Sequence, residues 1–266
     1  VPRIRVNGIS MNFVDQGSGM PVLLVHGFPF SHEMWKFQID ELSLNYRVIA
    51  PDLRGYGDSE FVTDPVASMD LFADDLSQLL KALHVTEPVI FCGLSMGGYI
   101  AWSFFRRHRE QLRGLILCDT RAAADAEDVK ERRQKLARIV LEQGTVPIAE
   151  AMLPNLFADE TLQKNESCVQ QIKTRIIETA AETISAGSLA MAARPDSTPL
   201  LSSIDLPTSV VVGVHDKLTS VEEMQQLADG IPEAEFAVLP EAGHLPPLEN
   251  PTGTNEVIQT FLQSIG

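Results

Sequence analysis

Apolar residues fall along this chain in short continuous runs separated by amphipathic stretches. The runs Val22 to Gly27, Tyr46 to Leu53, Pro88 to Gly93, Arg113 to Asp119, Thr208 to Asp216 and Ala234 to Pro240 have the length and composition of strands buried on both faces. Met69, Phe72, Leu76, Leu79, Leu80 and Leu83 repeat at spacings of three and four, and so do Val257, Ile258, Phe261, Leu262 and Ile265 near the end. Such spacing predicts helices with one apolar face. Strands and helices in alternation predict an α/β chain with a mostly parallel sheet covered on both sides. The start differs: two short alternating runs are joined by Asn7-Gly8, residues that tolerate positive φ, which predicts an antiparallel hairpin at the sheet edge.

One interval breaks the alternation. Roughly 85 residues between Asp119 and Thr208 read as helices throughout, and helices inserted there lie over the carboxyl ends of the strands, where open α/β sheets bind ligands. The expected organisation is a core of residues 1–120 and 201–266 carrying a helical cap of residues 121–200. Met152, Leu153, Leu156, Phe157, Leu189 and Met191 either pack this cap onto the sheet, the favoured reading, or wall an apolar pocket.

Composition narrows the class. With 266 residues, 44% of them apolar, the chain can bury one sizeable core. A formal net charge of −15 argues against nucleic acid or an anionic membrane as partner, because nothing here neutralises phosphates in quantity. No apolar run is long enough to span a bilayer, and the first residues hold no apolar leader segment. Cys92, Cys118 and Cys168 are few, odd in number and far apart, as expected of free thiols in a cytoplasmic protein. The basic cluster Lys130 to Arg138 is expected to be a solvated helix face.

Candidate chemistry centres on Gly93, Ser95 and Gly97. This G-x-S-x-G follows a predicted strand and precedes a predicted helix, the context in which the serine is lifted clear of a strained turn. A serine hydroxyl needs a base to take its proton and an acid to orient that base. Among the six histidines, His244 stands in a loop rich in Gly and Pro between the last strand and the last helix, where a catalytic group is presented. Asp216 leaves the sheet directly after its strand and precedes His244, so it is favoured as the acid; Asp119, at the end of the neighbouring apolar run, is the rival. The oxyanion of an attacked carbonyl needs N–H donors. Met96, immediately after Ser95, supplies one at a helix start, and Phe28, after His26-Gly27, is chosen for the second. His26 itself reads as a loop-fixing residue. Arg121 is in reach of a substrate carboxylate, with a helix-start or surface role favoured.

The segments "HGFPFSHEMW", "APDLRGYGDS", "GLSMGG", "GVHDKLT" and "AGHLPPLENP" resemble the α/β-hydrolase superfamily, and within it the branch of carboxylesterases, 3-oxoadipate enol-lactonases and cofactor-free haloperoxidases. The resemblance covers the sheet-forming parts and not the cap. It implies an eight-stranded α/β-hydrolase fold, no metal and no cofactor, and an acyl-enzyme on Ser95. The expected activity is hydrolysis of a small to medium carboxylic ester or lactone. Perhydrolysis of the haloperoxidase type by the same triad, or ligand binding on a hydrolase scaffold, are the alternatives. Relatives that open epoxides or cleave carbon–halogen bonds carry Asp at the elbow, which Ser95 departs from. The sequence leaves oligomeric state open.

Overall fold

The computed structural model describes residues 2–64 and 66–266; Val1, where the first core segment was expected to begin, lies outside them. Asn7 and Gly8 both take positive φ, 44° and 83°, and the turn they form joins strands β1 (Arg3–Val6) and β2 (Ile9–Gln16) as an antiparallel pair. The remaining strands are β3 (Pro21–Val25), β4 (Arg47–Pro51), β5 (Val89–Leu94), β6 (Leu112–Cys118), β7 (Thr208–Gly213) and β8 (Glu235–Leu239). Together they form one eight-stranded sheet in the order β1-β2-β4-β3-β5-β6-β7-β8. β2 runs antiparallel to β4, and every pairing from β4 through β8 is parallel. Every residue of β3, β5 and β7 is buried, which is why these strands read as unbroken apolar runs rather than alternating ones.

Helices α1 (Lys36–Leu42), α2 (Met69–Ala82) and α3 (Met96–His108) connect the first half of the sheet. Helix α2 starts where the Ser68 hydroxyl accepts from the Leu71 N–H, an N-cap. It buries Met69, Phe72, Ala73, Leu76, Leu79 and Leu80, while Leu83 falls one residue past its end and is only half-buried. Asp75 and Ser77 are also buried on α2. The Asp75 carboxylate accepts from Arg54 Nε and Nη2 at 2.8 and 2.7 Å and from Asn7 Nδ2 at 2.6 Å. A fork of this kind orders the groups it joins, here the hairpin turn, the loop after β4 and α2.

After β6 come α4 (Glu127–Gln143), α5 (Val146–Leu156), α6 (Asp159–Lys164), α7 (Glu166–Glu178) and α8 (Ala181–Ala192). The fold closes with α9 (Val221–Asp229), α10 (Pro246–Glu249) and α11 (Pro251–Ser264). Among the described residues no helix is long and apolar enough to cross a membrane. The inserted helices are stitched to the loops after β3 and β4: Thr179 Oγ1 donates to the Pro29 carbonyl at 3.2 Å, and Thr183 Oγ1 to the Gly55 carbonyl at 3.1 Å. Gly187 on α8 faces Tyr56, whose hydroxyl would lie 1.9 Å from any Cβ at that position. A side chain there would push the insertion off the core.

Candidate active site

Ser95 sits between β5 and α3 with φ 53° and ψ −111°, a conformation that costs a non-glycine residue of the order of 1–3 kcal/mol and persists only where the surroundings enforce it. The enforcement is visible. Ser95 N–H donates to the Cys118 carbonyl at 2.9 Å, and the Ser95 carbonyl accepts from Gly98 N–H at 2.9 Å and from Thr120 Oγ1 at 2.8 Å. A Cβ on Gly93 would lie 2.5 Å from the Gly97 backbone, and one on Gly97 would lie 2.4 Å from the Val25 carbonyl oxygen. The two glycines are therefore required by close approach of helix, strand and turn. The Ser95 side chain does not cap α3, so its hydroxyl is left for other work.

His244 is held by its backbone N–H, which donates to the Leu156 carbonyl at 3.0 Å, and by Nδ1, 2.8 Å from Asp216 Oδ2. Asp216 Oδ1 accepts from the Leu218 N–H at 2.7 Å, and its Oδ2 accepts in addition from the Thr219 hydroxyl. The side chains are 3% and 0% exposed, so this pair is shielded from water. Burial pushes the Asp216 carboxyl upward, but the His244 charge and the hydrogen bonds from His244, Thr219 and the Leu218 N–H outweigh it and hold its pKa below the ordinary value.

Asp119 lies alongside, fully buried and with φ 46°. Its Oδ1 accepts from the Gly213 N–H at 2.9 Å. Asp119, Asp216 and His244 bring ligand-type atoms within 4.8 Å of one another, yet the facing atoms of Asp216 and His244 are already bound to each other. Of the two candidate acids it is Asp216 that meets the imidazole.

Three of the other histidines, His26, His32 and His108, are bound into the surrounding structure. His26 is fully buried; its Nε2 accepts from the Leu53 N–H at 3.0 Å, so Nδ1 carries the proton and donates to the Gly27 carbonyl at 2.8 Å. Burial lowers its pKa to about 4, leaving a neutral ring that joins the loop after β3 to the loop after β4. His32 Nδ1 lies 2.7 Å from Asp52 Oδ1, and His108 Nε2 lies 2.8 Å from Asp74 Oδ1.

Ser95, His244 and Phe28 line one cavity of about 640 Å³, inside the range of small-molecule sites. Met152, Leu156 and Met191 line it, whereas Leu153 and Phe157 are buried and Leu189 is 46% exposed. The six apolar cap residues thus divide between pocket wall, core and surface. Arg121, Arg132, Arg133 and Lys217 also line the cavity, and among the described residues no carboxylate does. Of the basic cluster, Arg133 is turned toward the site and its side chain is 21% exposed, whereas Arg132 stands at the rim, 70% exposed and paired with Asp128, as expected of a solvated helix face. Arg121 is engaged: its Nε lies 2.8 Å from Glu223 Oε1, and its Nη2 donates to the Leu218 carbonyl.

One residue escaped the sequence reading. Glu249 Oε1 accepts from the N–H groups of Gly243 and Leu245 at 2.9 and 3.1 Å, on either side of His244. Its Oε2 accepts from Ala158 N–H at 2.8 Å and from Thr161 Oγ1 at 2.7 Å. In sequence Glu249 is one acid in a Pro-rich loop, with no signal beyond its nearness to His244.

A parallel-centred eight-stranded sheet, a strained serine at a strand–helix elbow and an Asp–His pair at the same sheet edge define the α/β-hydrolase class. The alpha/beta hydrolase family model matches residues 22–257, and the chain belongs to this family. It is similar to a thermophilic esterase from Thermogutta terrifontis solved with malate bound, at 43% identity and a TM-score of 0.97 over 100% of this chain and 99% of that one. It is also 28% identical to 3-oxoadipate enol-lactonase 2 of Acinetobacter baylyi over 86% of this chain and 84% of that protein. Epoxide hydrolase 3 of Xenopus tropicalis is 26% identical over 98% of this chain and 77% of that protein.

Proposed function

We propose that this hydrolase cleaves carboxylic esters or lactones through an acyl-enzyme on Ser95. The observation that carries this reading is the meeting, at one cavity, of the Ser95 elbow with His244, whose Nδ1 is bound to Asp216. With Nδ1–H committed to the carboxylate, Nε2 is the nitrogen that takes the Ser95 proton as Oγ attacks the carbonyl. Asp216 steadies the imidazolium, which then protonates the leaving alcohol. A water deprotonated by His244 hydrolyses the acyl-enzyme, returning Ser95. The oxyanion is received by the N–H of Met96, which as the first residue of α3 has no intrahelical acceptor, and by the N–H of Phe28.

Opening an epoxide through an ester intermediate needs a carboxylate nucleophile, and position 95 offers a hydroxyl. The similarity to esterases and an enol-lactonase favours acyl transfer. Arg121, Arg132 and Lys217 are each paired with a carboxylate of their own, Glu223, Asp128 and Asp159, so the excess positive charge at the wall rests on Arg133; that excess favours substrates that carry a negative charge, in keeping with the malate named for the similar esterase. Arg133 is suited to this, because it shares the single carboxylate of Asp125 with Arg194, which leaves that cluster net positive. Hydrolysis of p-nitrophenyl esters of increasing acyl length, alongside small lactones, tests the reading. Ser95→Ala should abolish turnover with the circular dichroism spectrum unchanged, and undiminished turnover would overturn the assignment.

A further inference from the structure

Asp119 is unexplained by the mechanism above. It is 0% exposed, it adopts a positive φ, and while Oδ1 receives the Gly213 N–H, no donor among the described residues reaches its buried Oδ2. An ionised oxygen left bare in the interior beside a second carboxylate is doubly unfavourable, by desolvation and by like-charge repulsion. The titratable groups that face it are Asp216, the Cys118 thiol and, in the same cluster, His244. Among the described residues no lysine or arginine is paired with it.

We infer that Asp119 is held as a neutral carboxylic acid whose Oδ2–H donates to the Asp216 carboxylate, making it a positioning residue for the Asp216–His244 pair. Burial, the Asp216 charge and Cys118 all push the Asp119 pKa well above the carboxylate range, against the opposing pull of the Gly213 N–H. The arrangement completes Asp216: His244, Thr219, the Leu218 N–H and Asp119 then supply four donors to one carboxylate. The proton stays on Asp119 throughout turnover. Its hydrogen bond draws off part of the negative charge that Asp216 presents to the imidazole and holds the carboxylate in the plane where His244 Nδ1–H meets it. The strained backbone of Asp119 is thereby accounted for, since its N–H is pinned to the Val211 carbonyl at 2.9 Å while its side chain is turned inward.

The inference rests on the hydrolase reading for its kinetic consequence only. Asn reproduces both hydrogen bonds of a neutral Asp, accepting from Gly213 and donating to Asp216, whereas Leu keeps the volume and removes the donor. On a p-nitrophenyl ester, Asp119→Leu should lower kcat about ten-fold with KM little changed, and should move the acid limb of the kcat/KM profile to higher pH, because an unscreened Asp216 favours the imidazolium. Asp119→Asn should recover most of that loss and return the limb to its wild-type position. A drop for Asp119→Asn as deep as for Asp216→Asn would mean an ionised, directly acting Asp119 and would overturn the proposal, as would a profile unmoved in Asp119→Leu. Should Asp119→Leu fail to fold, infrared difference spectroscopy at neutral pH decides. Wild type minus Asp119→Asn must show a protonated-carboxyl C=O band, and its absence refutes the neutral acid whatever reaction Ser95 catalyses.

Discussion

The carboxylate of Glu249 accepts the backbone N–H of Ala158 at 2.8 Å across 91 residues of sequence. With its other oxygen Glu249 holds the two N–H groups that flank His244. One side chain thus joins the histidine loop to the start of α6, so the base and the inserted helices are positioned together. Gly243 belongs to the same contact, since a Cβ there would lie 2.5 Å from the Ala158 nitrogen.

Removing Glu249 should therefore act on both stability and turnover. Glu249→Ala strands four donors and is expected to cost about 2–4 kcal/mol in urea denaturation, with kcat falling more than KM rises. Glu249→Gln can keep only part of the acceptor set and should lie between. A kcat unchanged in Glu249→Ala would separate the clamp from the positioning of His244.

The elbow gives a sharper steric prediction. Gly97→Ala places a methyl group 2.4 Å from the Val25 carbonyl oxygen, an atom fixed in β3 that cannot swing away. The variant should lose about 3 kcal/mol or more of stability, or fail to accumulate as folded protein. Wild-type denaturation midpoints and ester turnover would rule this out.

His26 makes stability fall on the acid side. Its ordinary value is 6.5 and its folded value about 4, so between these pH values the unfolded chain binds the proton that the folded one refuses. The contribution is complete above pH 6.5 and is lost as pH falls toward 4, to a total of about 3 kcal/mol. His26→Asn should be less stable than wild type at pH 7 and show a shallower decline between pH 6.5 and 4, measured by urea denaturation at several pH values.

Charge at the cavity wall should appear as substrate selectivity. The ratio of kcat/KM for a p-nitrophenyl hemisuccinate to that for the butyrate should fall about ten-fold in Arg133→Gln and fall in the wild type with added salt. Asp125 keeps Arg194 at 2.8 Å in this variant, so no bare carboxylate is left behind. A ratio indifferent to both changes would remove Arg133 from substrate recognition.

The sheet, the hairpin and the strand–elbow–helix around Ser95 were legible in the residues themselves, because each depends on local chemistry: continuous apolar runs, a turn that needs positive φ, and glycines where a Cβ does not fit. The strand limits moved by up to three residues, and Leu83 fell outside α2, since helix and strand ends are set by caps and neighbours rather than by periodicity. What only the tertiary structure decided is the pairing of groups far apart in the chain. Asp216 and Asp119 each follow a strand of the sheet, and nothing local to either says which will meet His244; the geometry of β6, β7 and the loop after β8 puts Asp216 at Nδ1 and leaves Asp119 behind it. The helices after β6 were legible as helices, but whether Met152, Leu153, Leu189 or Arg133 faced pocket, core or solvent was not, because amphipathic periodicity defines a face without naming what lies opposite. Glu249 and the neutral Asp119 belong to the same category: an acid's role depends on the donors and charges brought to it by other segments, and those arrive only with the fold.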